Sequence, residues 1–67
     1  MARPKAECEV TVVRQGDAAV LVTDGTVERW VPFSLIDEDS EIDENSDPED
    51  EGILVIPQWK AEELGLV

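Results

Sequence analysis

The acidic stretch from Asp37 to Glu51 limits what this chain can fold into. Its sequence, DEDSEIDENSDPEDE, holds ten Asp or Glu residues among fifteen, and its one apolar residue is Ile42. Ordering a residue costs about 1–2 kcal/mol of conformational entropy. One buried apolar side chain is too little to offset that cost over the whole stretch. We therefore expect a mobile loop here, and a core built from the roughly fifty residues outside it.

The chain has 67 residues, which is near the lower limit for a domain with a single hydrophobic core. It has no His and only one Cys, so neither a zinc site nor an intrachain disulfide can hold the fold together. That residue, Cys8, is interpreted as a small buried apolar residue rather than a reactive thiol. We predict a flexible tail over residues 1–6 and one small domain over residues 7–67, which includes the acidic loop 37–51.

Alternating apolar and polar residues predict a half-buried first strand over residues 7–14. A second β-rich run, residues 18–23, is followed by Asp24-Gly25. Asp-Gly between two β-rich runs favours a hairpin with a two-residue type I′ turn. We therefore pair residues 20–23 with residues 26–31 as antiparallel strands.

The third strand is expected to end at Pro32, because proline removes a hydrogen-bond donor from the ladder. After the acidic loop, the apolar run Ile53–Ile56 predicts a fourth strand. Pro57 suits the first position of a helix, and Gly65 suits a left-handed stop at its end. We expect this short helix to pack across the sheet with Trp59 as its anchor.

Short strands followed by a terminal helix indicate an α+β fold with a small antiparallel sheet of about four strands. The size of the core favours a curled sheet like an SH3-like barrel, although an open sheet fits the same pattern. In so small a chain, Trp30 and Trp59 are both expected to contribute to the core rather than to an interface.

Five Lys or Arg residues against 17 Asp or Glu residues give a formal net charge of −12. Proteins bind phosphate backbones and anionic membranes through Lys and Arg, so this charge argues against direct nucleic-acid binding and against membrane binding. The favoured partner is a protein with a basic surface, or a cation. A single cysteine and no recognisable secretory or spanning segment favour a cytoplasmic location.

The acidic stretch is also the candidate binding site. Fully extended it would reach roughly 50 Å, which spaces its ten charges about 5 Å apart. A DNA strand carries one charge per about 3.4 Å, so the two densities are comparable. The alternative is that the stretch only keeps the protein soluble. The predicted partner-binding residues are Asp37, Glu38, Asp39, Glu41, Asp43, Glu44, Asp47, Glu49, Asp50 and Glu51.

Neither catalysis nor a metal site is predicted. Paired carboxylates act as acid and base only when a fixed environment separates their pKa values, and a mobile loop supplies none. An EF-hand alignment that starts at Asp39 fails at its sixth position, where Glu44 replaces the required Gly, and at its twelfth, Asp50. We therefore expect no enzymatic activity and no cofactor. Ser40 and Ser46 are interpreted as polar spacers that keep the loop soluble.

Three segments frame the acidic stretch: AVLVTDG at residues 19–25, WVPFSLI at 30–36 and IPQWKAEELGL at 56–66. Together they resemble a pattern of short uncharacterised proteins encoded by phages and prophages. The resemblance implies a bacterial cytoplasmic setting and brings no binding-site residues with it. Small acidic phage proteins that mimic DNA act against nucleic-acid-binding host defences, and by analogy the resemblance implies such a role here.

We therefore expect a non-enzymatic inhibitor of the anti-CRISPR or anti-restriction type, with residues 37–51 placed in a basic groove of a host protein. The alternative is an accessory domain of phage replication or recombination that binds a protein through its β-face and helix. In that case the acidic loop is only a solubilising linker. Neutralising the acidic residues separates the two, because only the first depends on them.

Overall fold

The computed structural model describes residues 4–66, which form an open four-stranded antiparallel sheet, a 3₁₀ turn and one short helix. The strands lie in the order β3-β2-β1-β4, so β3 and β4 are the two edges. The predicted α+β class is confirmed, and the sheet does not close into a barrel because β3 and β4 are not paired. The elements are β1 (Lys5–Gln15), β2 (Ala19–Thr23), β3 (Glu28–Pro32), the 3₁₀ turn (Phe33–Leu35), β4 (Glu51–Pro57) and α1 (Gln58–Leu64).

One face of the sheet carries the core. The even-numbered residues of β1 from Ala6 to Val12 are buried, while Glu7 and Glu9 between them are exposed on the other face. This is the predicted alternation, and Cys8 is buried as predicted, with 5% of its surface exposed. The core cluster consists of Ala6, Cys8, Val10, Val12, Val20, Val22, Val31, Ile42, Leu54, Ile56, Ala61 and Leu66.

A β-bulge interrupts β1 near its end. Val12 pairs with Val22, but the next pair along β2 joins Leu21 to Arg14, so Val13 is an extra residue. An extra residue moves every later side chain of a strand to the opposite face. Gln15 therefore lies on the core side of the sheet, where strict alternation along the sequence would not have placed it.

The β2–β3 hairpin is confirmed, but its turn is not the predicted one. Four residues, 24–27, join the strands instead of two. Of these only Gly25 has a positive φ, 99°, whereas a type I′ turn needs two such residues. The Asp24 carboxylate accepts hydrogen bonds from the N–H groups of Thr26 and Val27, at 2.8 and 3.0 Å. These bonds support a wider turn, because an Asp side chain can take the place of a backbone acceptor.

Helix α1 ends as predicted. Gly65 has φ 75°, its N–H donates to the carbonyl of Glu62 at 3.2 Å, and the Leu66 N–H donates to the carbonyl of Ala61 at 2.9 Å. These two bonds form a Schellman motif. Pro57 is the last residue of β4 rather than the first residue of the helix, so α1 begins one residue later than predicted.

The predicted role of Trp59 as the helix anchor is wrong. Trp59 is 51% exposed, and the buried residue of α1 is Ala61, which is 0% exposed. Residues two positions apart in an α-helix are separated by about 200° around its axis. Because α1 turns Ala61 towards the sheet, Trp59 points away from it.

The prediction that Trp30 belongs to the core is also wrong. Trp30 is 46% exposed and pairs with Leu21 across the strands. Val31, its neighbour in β3, takes the buried position on the core face. The Trp30 ring covers Gly16, where an added Cβ would come within 3.0 Å of the ring atom Cζ3. Trp30 therefore forms part of the outer surface beside the β1–β2 turn.

Strand β1 starts earlier than predicted. Lys5 and Ala6 pair with Pro57 and Ile56 of β4, so they are strand residues and not part of a tail. Pro4 is also held, because its carbonyl accepts a hydrogen bond from the Gln58 N–H at 3.2 Å. Residues 1–3 of the predicted tail lie outside the described residues. Within residues 4–66 no helix has the length and apolar character needed to cross a membrane.

Candidate acidic binding surface

The acidic segment, residues 37–51, begins along the outer edge of β4. The Asp37 N–H donates to the carbonyl of Val55 at 2.8 Å, and the Glu41 N–H donates to the carbonyl of Ile53 at 2.9 Å. In return, the Ile53 N–H donates to the Glu41 carboxylate oxygen Oε1 at 2.7 Å. An edge strand otherwise leaves such backbone groups open to other chains. The first part of the segment therefore covers one edge of the sheet.

Two buried serines hold the segment in shape. The Ser40 hydroxyl accepts a hydrogen bond from the Val55 N–H at 3.0 Å and donates to the carbonyl of Ile42 at 2.7 Å. The Ser46 hydroxyl accepts a bond from the Asp43 N–H at 3.0 Å. Ser40 and Ser46 are 9% and 8% exposed. Their interpretation as polar spacers is therefore wrong, because a hydroxyl can donate and accept at once inside a turn.

The middle of the segment is fixed to the core. Ile42 is 1% exposed and belongs to the core cluster. Gln15, which the bulge places on this side of the sheet, donates from Nε2 to the carbonyl of Asp43 at 3.1 Å and to the carbonyl of Ser46. One apolar and one polar side chain thus fix the middle of the segment to the rest of the fold.

The end of the segment pairs with β1. The Glu49 N–H donates to the carbonyl of Val12 at 2.7 Å, and the Val12 N–H donates to the carbonyl of Asp50 at 2.8 Å. Glu49 has φ 75°, in the left-handed region, which costs an L-residue roughly 1–2 kcal/mol. The two bonds to Val12 hold Glu49 in this conformation and return the chain to the start of β4.

The expectation of an unsupported loop is therefore wrong. A count of apolar residues finds only Ile42, but most of the support is polar and comes from groups that are distant in sequence. Backbone groups at the outer edge of β4 need hydrogen-bond partners, and the bulge in β1 places the Gln15 amide beside the segment. Neither source of support can be read from the sequence of residues 37–51 alone.

The ten predicted site residues fall into two groups. Asp37, Glu41, Asp43 and Asp50 each use a carboxylate oxygen within the fold; the Asp43 and Asp50 carboxylates accept from the N–H groups of Asn45 and Asp47 at 2.8 and 2.9 Å. The other six are exposed and form no side-chain hydrogen bond or ion pair with any residue from 4 to 66. These outward carboxylates are Glu38, Asp39, Glu44, Asp47, Glu49 and Glu51.

Lys5 neutralises one carboxylate of the segment. Its Nζ lies 2.6 Å from Asp37 Oδ2. This hydrogen bond, with the attraction between the two charges, raises the pKa of Lys5 and lowers the pKa of Asp37, which also accepts from the Asp39 N–H. The pKa of Asp24 is lowered as well, by the N–H groups of its turn. A carboxyl group shifted in this direction stays anionic and suits ion pairing rather than proton transfer.

A groove of about 520 Å³ on the outer face of the sheet continues the acidic surface. Glu9 reaches it because Glu9 pairs with Ile53, and Asp24 reaches it from the β2–β3 turn. Sequence reasoning missed both residues. Alternation along β1 places Glu9 on the polar face of the sheet. No local sequence signal gives the register of β1 against β4, which brings Glu9 beside Ile53. The groove is lined by Glu9, Val10, Thr11, Thr23, Asp24, Gly25, Glu41, Glu51, Gly52 and Ile53.

The chemistry of this surface is electrostatic. Among residues 4–66, no group of three or more His, Cys, Asp or Glu side chains is arranged to hold a metal ion. Burial raises the pKa of the Cys8 thiol, which therefore stays protonated and unreactive at neutral pH. What the outward carboxylates can do is accept charge-assisted hydrogen bonds from Lys and Arg.

The comparison with known proteins gives no relative for this chain. No family model matches it, and neither a curated protein nor a solved structure does. The chemistry of the acidic surface is therefore the main guide to its function.

Proposed function

We propose that this chain is a non-enzymatic inhibitor that binds the basic, nucleic-acid-binding surface of another protein. The observation that carries the proposal is the orientation of the acidic segment. Ser40, Ile42 and Ser46 face inward, whereas the six outward carboxylates face solvent. Each outward carboxylate can replace a phosphate in a contact with Lys or Arg, because both groups accept charge-assisted hydrogen bonds.

The internal support of the segment favours binding without rearrangement. Binding costs free energy when flexible groups become ordered, and a segment that is already ordered avoids much of that cost. Here the carboxylates of Asp37, Glu41, Asp43 and Asp50 bond within the fold, and the six outward carboxylates are left for a partner. We expect the segment to keep its backbone conformation in the complex.

The resemblance to short phage proteins adds a biological setting to this proposal. In that setting the partner is a bacterial defence protein that binds nucleic acid, such as a CRISPR or restriction component in the host cytoplasm. A DNA-mimicking inhibitor would occupy the groove and exclude the nucleic acid. The protein itself would touch neither nucleic acid nor membrane, in keeping with its net charge of −12.

A pull-down from bacterial lysate, repeated at low and high salt, tests the proposal. Ion pairs between exposed groups are screened beyond about 8 Å at physiological ionic strength, so retention of the partner should fall steeply as salt rises. Neutralising three outward carboxylates in the variant E38Q/E44Q/D47N should reduce retention at low salt. These three residues make no side-chain contact that the fold depends on.

A control variant separates local recognition from total charge. D17N/E28Q/E62Q removes the same three charges from exposed positions outside the segment and should retain the partner. Equal losses of partner retention in the two variants would show that binding depends on net charge alone. Recovery of no basic protein, or of one whose retention ignores salt, would contradict the proposal.

An accessory protein-binding domain remains a second candidate because both tryptophans are exposed. Exposed Trp often supplies much of the binding energy at an interface. Trp30 lies on a sheet face and Trp59 on the helix, which are the surfaces this alternative uses. Residues 37–51 are not a free linker in either case, since Ile42 is buried. Partner retention that is lost in Trp59→Ala and kept in E38Q/E44Q/D47N would favour the accessory domain.

A further inference from the structure

The two faces of the sheet differ in what covers them. The core cluster, which includes Ile42 of the acidic segment and Ala61 of α1, lies on one face. On the outer face no side chain of β1, β2 or β3 is buried. Within residues 4–66, the outer face of these three strands therefore has no second layer packed on it and is open to a partner.

One end of the outer face is apolar. Ala19, Leu21 and Trp30 form this apolar patch, in which Leu21 pairs with Trp30 across β2 and β3. The Trp30 ring lies over Gly16, so it leans across the face rather than towards the open edge of the sheet. Trp30 is 46% exposed. A half-exposed Trp of this kind supplies binding energy when a partner covers it.

The other end of the outer face holds the groove of about 520 Å³. Glu9 pairs with Ile53, which lies two residues beyond Glu51 in β4. Glu9 and Glu51 are therefore diagonal neighbours on one face, roughly 7–8 Å apart, and one cationic group between them can contact both carboxylates. Neither carboxylate forms a hydrogen bond or an ion pair with any residue from 4 to 66. Glu51 also ends the acidic segment, so the groove connects that segment to the outer face.

The distance between the two ends matches a short helix. Thr11 of β1 pairs with Thr23 of β2 midway between them. Leu21 and Glu9 each precede one of these threonines by two residues, and the strands are antiparallel, so Leu21 and Glu9 lie on opposite sides of the pair. At about 3.4 Å per residue, the two ends are about 14 Å apart along the strands. An α-helix covers that distance with about nine residues.

We propose that the outer face binds an amphipathic α-helix of the partner protein, with Lys or Arg in the groove and an apolar side chain on the apolar patch. The inference rests on the proposed function, since it concerns the same basic partner. A helix fits because a sheet face presents side chains and no free backbone groups, so the occupant must satisfy its own N–H and C=O groups. The helix diameter of about 10 Å is close to two strand spacings.

Charge selects a basic helix over other occupants. Four acids and no Lys or Arg line the groove; the acids are Glu9, Asp24, Glu41 and Glu51. Arg14 pairs with Leu21 at the apolar end and so leaves the groove acidic. A second copy of this chain, with a net charge of −12, would bring charges of the same sign to this face.

NMR titration with a synthetic peptide tests the proposal. The probe is a peptide of about 14 residues, with Leu and Lys on one helical face and Ala elsewhere. The chain has two Trp residues, so their indole N–H signals report on the outer face and on α1 separately. We expect the Trp30 signal to shift as peptide is added and the Trp59 signal to stay in place. A peptide of the same composition, with Leu and Lys spread around the helix, should shift neither signal.

Two variants with equal charge locate the binding site. E9Q/E51Q removes two charges from the groove and should weaken peptide binding by about fivefold or more, because two ion pairs are lost. E38Q/E44Q removes two charges from the acidic segment outside the groove and should change binding by less than about twofold, since distant exposed charges are screened. Leu21→Thr should weaken binding from the apolar end. Circular dichroism confirms that each variant is folded.

Equal weakening in E9Q/E51Q and E38Q/E44Q would overturn the inference, because attraction would then follow net charge. A shift of the Trp59 signal instead of the Trp30 signal would overturn it too. So would a Trp30 shift on concentrating the protein without peptide, which would place a second copy on this face. The lysate pull-down separates this inference from the proposed function. If partner retention falls in E38Q/E44Q/D47N but not in E9Q/E51Q, the proposed function stands and docking on the outer face is wrong.

Discussion

The side-chain amide of Gln15 donates to the backbone carbonyl of Asp43 at 3.1 Å, across 28 positions of sequence. The same nitrogen also donates to the carbonyl of Ser46. This contact joins the end of β1 to the middle of the acidic segment, so the segment and the sheet are expected to respond together to a change at either place.

Gln15→Ala should therefore loosen the acidic segment. A net hydrogen bond contributes about 0.5–1.5 kcal/mol, and two are lost, so the free energy of unfolding should fall by about 1–3 kcal/mol. Urea denaturation measures this loss, and amide exchange at Asp43 and Ser46 should accelerate. Gln58→Ala, at the exposed start of α1, is the matched control and should change stability by less than about 0.5 kcal/mol. Equal effects would mean that Gln15 does not anchor the segment.

Ile42→Ala should be among the most damaging single changes in the chain. Ile42 is 1% exposed, and truncating a buried Ile to Ala costs about 2–5 kcal/mol. Ile42→Val should cost only about 0.5–1.5 kcal/mol and keeps the experiment interpretable if the alanine variant does not fold. Thermal and urea unfolding measure both. If Ile42→Ala were as stable as the parent, the acidic segment would have no place in the core.

Trp59→Ala should be nearly silent for stability. Sequence reasoning expects a buried aromatic here and a loss of about 3–5 kcal/mol. Because Trp59 is 51% exposed and lies opposite Ala61 on α1, we expect less than about 1 kcal/mol. A urea melt of the variant beside that of Ile42→Ala decides the matter. A loss as large as that of Ile42→Ala would return Trp59 to the core.

The Lys5–Asp37 pair should stabilise the fold over a defined pH window. Its Asp has a lowered pKa in the folded state, so its contribution is present above about pH 4 and disappears as pH falls through the folded pKa. Its Lys has a raised pKa, so the contribution is present below about pH 10 and disappears as pH rises through the folded pKa. The stability difference between the parent and Lys5→Met should be constant between these limits and vanish outside them. A difference that does not change with pH would show that the ion pair is not its source.

The Cys8 thiol should react only when the fold opens. Cys8 is 5% exposed, and burial raises its pKa, so little reactive thiolate is present at neutral pH. Labelling by a thiol reagent should be slow in buffer and fast in denaturing urea. Ile42→Ala, which weakens the same core, should label faster than the parent. Rapid labelling of the folded parent would contradict the burial of Cys8.

Signals that act over a few residues predict much of this fold. Asp24-Gly25 marks the hairpin, and Gly65 marks the end of α1, because each residue meets a backbone requirement of its immediate neighbours. Trp59 is mispredicted for the opposite reason: its size suggests an anchor, whereas the sheet selects the side of α1 that carries Ala61. The sequence shows which residues share a face of the helix, but not which of those faces packs against the sheet.

The sequence predicted which acidic residues form this surface, but not which of their side chains face outward. All ten carboxylates stand in one segment of the sequence, so their clustering needs no structure. Which of them face outward depends on the partners of Ser40, Gln15 and the β4 edge, and these partners come from strand pairings that are distant in sequence. Glu9 joins the surface for the same reason, through its register with Ile53.

The bulge in β1 gives this strand two phases, one before Val13 and the opposite one after it. Side chains before the bulge build the core, and the side chain of Gln15 after it reaches the acidic segment. A deletion of Val13 would remove the bulge and restore strict alternation, with Arg14 still opposite Leu21 and Gln15 still opposite Val20 on the core side. The position of Gln15 therefore depends on its register with β2 and not on the length of β1 alone. Substitutions at exposed Arg14 are tolerable, while the loss of both Val13 and Arg14 would turn Gln15 to the outer face and release the segment that it holds.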